Sequence, residues 1–272
     1  MRSKFSWYIN ENFRNERVKM KYIDVHTHPF KEYYEDPYQT VVEWHKNNME
    51  KLFICGTSRE DSVELLDLCS REDYLFPIIG IHPTLSKGAE DGEFIENIIN
   101  KDVVAIGEIG LDYHYDNSPS KEIQKSSFIA QLEIAKKYNI AAMLHIRDAL
   151  EDAYEIISQP QYQDLKIIFH SFSGDENFVK KCLGHKNLYF SISGVVTFKN
   201  AKILQDAVKL IPIDRLFCET DTPYLAPTPM RGKPNISPYV MYTYQYIANL
   251  KNISEEKLVS QIQNNVKKVF KI

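Results

Sequence analysis

Short, almost unbroken apolar runs alternate along the chain with longer segments in which apolar side chains return every third or fourth position. The runs cover residues 22–26, 52–56, 75–80, 103–107, 141–145, 167–170, 189–193 and 216–219, and they are rich in Ile, Val, Leu and Phe. Such runs predict parallel strands buried on both faces, because a strand with one wet face would alternate apolar with polar. Between them, 38–48, 61–70, 93–100, 121–138, 151–157, 176–183 and 201–210 predict helices, and 239–249 and 255–270 add two more at the end. The clearest of these, 121–138, sets Phe128, Leu132, Ala135 and Tyr138 on one stripe and Lys125, Glu133, Lys136 and Lys137 elsewhere, so its role is to cover the sheet. Strand and helix alternate about eight times with no Gly-, Ser- or Pro-rich linker, which predicts an α/β fold built as one TIM (β/α)8 barrel rather than a doubly wound sheet.

Length agrees: 272 residues, 43% of them hydrophobic, suffice for the single core of such a barrel. Residues 1–20 read as an N-terminal extension ahead of a barrel over 21–272, because Met20 directly precedes the first strand. Arg2, Lys4, Glu11 and Arg14 break up that extension, so it lacks the apolar centre of a secretory signal. No apolar run approaches the roughly 18 residues that span a bilayer. Cys55, Cys69, Cys182 and Cys218 lie far apart with no Cys-x-x-Cys, and are expected to be reduced packing residues in a cytoplasmic protein. A net charge of −4 provides no global basic field, so any contact with nucleic acid must depend on a local basic patch or on bound cations.

In a barrel of this kind the active site forms where the C-terminal ends of the strands open into loops. Polar residues cluster at those ends here. The first run ends in His26-Thr27-His28, whose two imidazoles share a face because strand side chains alternate. The third run leads to His82, the fourth to Glu108, the fifth ends at His145, the sixth at His170, and the eighth leads to Asp221. Barrel closure would bring His26, His28, Glu108, His145, His170 and Asp221 to one rim, where four imidazoles and two carboxylates suit two divalent ions. Without a thiolate in the set, Mg, Mn, Zn and Co all remain open. Two such ions favour phosphodiester hydrolysis by an activated water.

The sequence resembles the TatD family of metal-dependent deoxyribonucleases, within the amidohydrolase superfamily. The resemblance is carried by His26-x-His28, Gly80-Ile81-His82-Pro83, Gly107-Glu108-Ile109-Gly110-Leu111-Asp112, His145-x-Arg147, His170-Ser171-Phe172-Ser173-Gly174, Glu219-Thr220-Asp221 and Arg231-Gly232-Lys233. It implies a TIM barrel that cleaves DNA, often from the 3′ end. It further implies that His26, His28 and Asp221 hold one ion and that Glu108 bridges to a second held by His145 and His170. Asp221 would orient the attacking water and take its proton, while His82, Arg147 and Arg231 would contact substrate. DNA is the expected partner, with no membrane and no obligate protein partner.

Departures from the family pattern bear on substrate: Pro29-Phe30 follows His28, Thr84 follows Pro83, and Pro234-Asn235-Ile236-Ser237 follows Lys233. The alternative substrate class is D-aminoacyl-tRNA, whose ester the same activated water could attack. Two further expectations concern neighbours of the site. Asp24 is expected to accept hydrogen bonds that orient the histidines, and Tyr113-His114-Tyr115 offers rings that could stack on bases.

Overall fold

The computed structural model describes residues 20–272. Of the expected 1–20 extension, residues 1–19 lie outside the described residues. Eight parallel strands, β1 (Tyr22–Thr27), β2 (Met49–Cys55), β3 (Leu75–Ile79), β4 (Ala105–Asp112), β5 (Ala141–Arg147), β6 (Ile167–Phe169), β7 (Leu188–Ile192) and β8 (Leu216–Cys218), lie in sequence order in one sheet. The helices are α1 (Pro37–Lys46), α2 (Arg59–Cys69), α3 (Glu90–Ile98), α4 (Lys121–Tyr138), α5 (Leu150–Ile157), α6 (Glu176–Leu183), α7 (Lys202–Leu210), α8 (Val240–Leu250) and α9 (Glu255–Phe270). The protein is a TIM barrel. Its eighth strand is short, so the seam closes mainly through the segment beyond it: Asp221 N donates to His26 O, His28 N donates to Thr222 O, and Thr27 pairs in parallel with Thr222.

The strands are buried almost throughout, as continuous apolar runs require. Ser120 caps α4 by accepting from Ile123 N, and Asn139 ends the helix in the left-handed conformation at φ 52°. Phe128, Leu132 and Ala135 of its stripe are buried, whereas Tyr138 is exposed because the helix ends there. The four cysteines are free and buried, packing as small apolar groups. No helix among the described residues is long and apolar enough to cross a membrane.

One strand departs from expectation in a way that matters for the site. β4 does not stop at Gly107 but continues through Glu108-Ile109-Gly110-Leu111 to Asp112. Its register against β5 slips between Ile106, opposite Ala142, and Ile109, opposite Leu144, so one extra β4 residue is accommodated there. A bulge of this kind redirects a side chain. Glu108 sits within it, in mid-strand, and faces the barrel mouth.

Asp24 holds the seam. It is fully buried, and its carboxylate accepts from His26 N (3.3 Å), Thr220 N (2.9 Å) and Thr220 Oγ1 (2.5 Å). Asp24 thus accepts from His26 through its backbone N–H, and from the backbone and hydroxyl of Thr220 on the other side of the seam. Asp24→Ala removes the acceptor for all three donors in a dry site, and is expected to cost about 2–4 kcal/mol in urea unfolding. Unfolding at the wild-type midpoint would overturn this role.

Candidate metal centre

All six side chains singled out above meet at the C-terminal mouth of the barrel, contributed by β1, β4, β5 and the segments after β1, β6 and β8. His26 Nε2 and His28 Nε2 are 3.0 Å apart. Glu108 turns its two oxygens in different directions. Oε2 lies 3.4 Å from His26 Nε2 and 3.8 Å from His28 Nε2, while Oε1 lies 2.7 Å from His145 Nδ1 and 3.4 Å from His170 Nε2. Asp221 Oδ1 is 3.3 Å from His28 Nε2, 3.6 Å from His26 Nε2 and 3.8 Å from His170 Nε2.

The outer partners of the imidazoles determine which nitrogens can bind a cation. His28 Nδ1 lies 2.7 Å from the Cys55 carbonyl, which can only accept, so Nδ1 carries the proton and Nε2 presents a lone pair. His170 Nδ1 lies 2.8 Å from Glu219 Oε1, leaving its Nε2 to face Glu108 and Asp221. His145 Nε2 lies 3.0 Å from Asp112 Oδ2, leaving Nδ1 toward Glu108. His82 turns its Nδ1 to Thr84, 2.7 Å from Oγ1 and 3.2 Å from N, which leaves Nε2 toward the mouth, 3.9 Å from Glu108 Oε1. His82 therefore presents Nε2 to the mouth, and Thr84, one of the family departures, holds its other nitrogen through both hydroxyl and backbone.

Charge follows the same arrangement. Burial alone would raise the Glu108 carboxyl, but the imidazoles of His170, His145 and His26 outweigh it and hold the group well below the usual carboxylate range. For Asp221 the same contest between burial and His170 and His28 also ends below that range. Burial would lower His170, yet Glu219, Glu108 and Asp221 push it up to about 10. Burial and the neighbouring His145 drive His82 down to about 3, so it stays neutral.

These residues fit divalent cations. Two imidazole nitrogens 3.0 Å apart, one with its lone pair already directed inward, need a proton or a cation between them. Among the described residues Glu108 and Asp221 pair only with histidines, and ionised carboxylates at such depth need the same positive charge. Nitrogen and oxygen donors in groups such as His26, His28 and Glu108 lie within 4.8 Å of one another. The set is open to a cavity of about 640 Å³ lined in part by Thr57, Asp61, His82, Tyr115 and Arg147.

Other residues named from sequence are placed with mixed results. Arg147 lines the cavity, and its Nη1 donates to Tyr115 Oη at 2.9 Å rather than to Asp148, which pairs with His114 instead. Arg231 is exposed outside the cavity lining, with its guanidinium 4.0 Å from the centre of the Phe198 ring. Within Tyr113-His114-Tyr115 only Tyr115 faces the cavity, since the Tyr113 hydroxyl donates to Asp152 on the outer side.

Sequence reasoning missed two positioning side chains on α4. Gln124 accepts from Asp112 N (2.8 Å) and donates to Asp112 O (2.9 Å), while Gln131 accepts from Ile81 N (2.8 Å) and donates to Ile81 O (3.1 Å). One helix thus aligns the partner of His145 and the backbone leading to His82. Their signal was two glutamines, two turns apart, on the same stripe as Phe128 and Ala135, where a covering helix would have apolar residues.

The TatD related DNase family profile matches residues 23–271. The chain is 38% identical over 253 residues to the uncharacterized metal-dependent hydrolase YabD of Bacillus subtilis, covering 92% of this chain and 98% of that one. It is also 38% identical over 266 residues to the uncharacterized metal-dependent hydrolase MG009 of Mycoplasma genitalium, at 92% and 99% coverage. Among solved structures, the TatD homolog YjjV of Escherichia coli K12 superposes with a TM-score of 0.85 at 22% identity, covering 94% of this chain and all of that one, a likeness of fold. A profile match across nearly the whole barrel and full-length relatives above 30% identity settle the matter of kinship: the chain belongs to the TatD related DNase family.

Proposed function

We propose that this metal-dependent hydrolase cleaves the phosphodiester bonds of DNA with two divalent ions, working from the 3′ end of the strand. The observation that carries the reading is the Glu108 carboxylate, one oxygen facing His26 and His28 and the other facing His145 and His170. In that reading His26, His28, Asp221 and Glu108 hold one ion, and Glu108, His145 and His170 the other. The ions, when bound, lower the pKa of a water and neutralise phosphoryl oxygens. Asp221 remains ionised and partly open to the cavity, so it can orient that water and take its proton. His82 donates from Nε2 to a phosphoryl oxygen, and Arg147 offers charge-assisted hydrogen bonds at the cavity edge.

The test uses chelated protein with Mg, Mn, Zn or Co added back singly, supplied with 3′-labelled single-stranded DNA, RNA or D-tyrosyl-tRNA. The expected result is release of the 3′ label from DNA only when metal is restored. Cleavage that survives both chelation and Asp221→Asn would overturn the mechanism. Hydrolysis of the tRNA ester alone would move the substrate to the alternative class.

A further inference from the structure

The cavity above the metal centre has two flanks whose aromatic rings the hydrolytic chemistry leaves unused. On the side of β1 and β8, Tyr33 and Tyr224 stand edge to face, with ring centres 5.7 Å apart and hydroxyl oxygens 2.6 Å apart. On the side of β4 and β5, the Arg147 guanidinium lies 5.0 Å from the centre of the Tyr115 ring and donates to its hydroxyl. With strands in the order β1 to β8 around a closed barrel, the seam between β4 and β5 lies opposite the seam between β8 and β1. The flanks therefore face each other across the carboxylates and imidazoles, and both line one cavity.

Both flanks present rings to solvent, Tyr115 at 50% exposure and Tyr224 at 49%. Large aromatic rings held half in water beside a polar site are poor core residues and good platforms for a planar ligand. Neither is a loose side chain. Arg147 holds Tyr115, and the hydroxyl contact between Tyr33 and Tyr224 ties together the loops that follow β1 and β8, so little orientational freedom remains to be lost on binding.

We propose that the two flanks are stacking platforms for the nucleobases on either side of the scissile phosphodiester, Tyr115 with Arg147 taking one base and Tyr33 with Tyr224 the other. The inference rests on the phosphodiesterase reading of the metal site and deepens it by naming the side chains that would grip a base–phosphate–base unit. The centre is deep: side-chain exposure is at most 5% for His26, His28, Glu108 and His170. A phosphate that reaches them descends into the cavity that both flanks line, which brings its neighbouring bases to the rings. Arg147 places a positive charge beside the descending backbone, in a chain whose net charge is −4.

The experiment measures binding by fluorescence anisotropy with the full chain after chelation, so that no turnover occurs. The probes are a short labelled oligothymidylate and an abasic strand of the same length, which carries the phosphates without the bases. The wild-type chain should prefer the thymidylate, and Tyr115→Ala and Tyr224→Ala should each shrink that preference by about 5-fold or more, given the usual worth of one stacked base. Tyr115→Phe and Tyr224→Phe should keep most of it, since the ring does the stacking and the hydroxyl only holds the ring in place. Equal binding of the two strands by the wild type overturns the inference, as does an undiminished preference in both alanine variants. Hydrolysis of bis(p-nitrophenyl) phosphate by the metal-loaded wild type reports on the phosphodiesterase reading separately, because that diester carries no nucleobase.

Discussion

On the proposed two-ion reading, Glu108→Ala should leave the chain with one bound ion instead of two and reduce turnover on DNA by at least about three orders of magnitude, while the barrel stays folded. Among the described residues, Glu108 is the side chain whose two oxygens face both imidazole pairs. Without it, His26, His28 and Asp221 still present two nitrogens and a carboxylate to one ion. The other position keeps only the imidazole nitrogens of His145 and His170, fewer donors than a divalent ion normally needs. Losing one of two cations that neutralise a phosphoryl group removes several kcal/mol of transition-state stabilisation, and about 4 kcal/mol corresponds to roughly a thousandfold. The fold should survive because the residue lies at the mouth, and deletion relieves the burial of a charge. Metal content per chain by mass spectrometry, read beside the thermal unfolding midpoint, decides the matter. Two ions still bound to the variant would end the bridging assignment.

Gly110→Ala should have the largest effect on stability, about 3 kcal/mol or more in urea unfolding, with metal content falling in parallel. Gly110 has φ of +143°, and a Cβ built there would lie 2.1 Å from His145 O and 3.0 Å from Ile146 Cδ1. The first contact is with backbone, so no rotamer change relieves it. β4 would have to separate from β5 at a rung where Gly110 pairs with His145, pulling Glu108 and Asp112 away from the imidazole between them. The strained φ adds about 1–2 kcal/mol to an overpacking cost of about 1–3 kcal/mol. Gly232→Ala is the control: its φ is +84°, but nothing lies within 4 Å of the added Cβ, so it should cost only about 1 kcal/mol. Equal unfolding midpoints for the two variants would refute the steric argument.

The barrel was legible in the sequence because strands buried on both faces must be apolar at every position, and that pattern survives without knowledge of neighbours. The expected and observed ends of α4, α6 and α9 coincide. β4 departed furthest, ending five residues beyond the expected 107, and for a physical reason. Glu108-Ile109-Gly110-Leu111-Asp112 mixes two carboxylates and a glycine with apolar residues, a composition that reads as a loop. It continues as strand because its polar side chains turn into the barrel mouth, where His145 receives both. Arg231 illustrates the opposite case: its motif was legible, but its side chain lies against Phe198 away from the cavity.

What the sequence determined by itself was the kind of side chain at each strand end and the order in which they come, because both are local properties of composition and periodicity. Tertiary structure alone decided how those groups meet. The two directions of the Glu108 carboxylate, the inward nitrogens selected by Cys55 O, Glu219 and Asp112, the seam bonds of Asp24 and the pairing of Tyr33 with Tyr224 all join residues far apart in the chain. Contacts of that kind depend on strand register and barrel closure, which a residue's sequence neighbours do not encode.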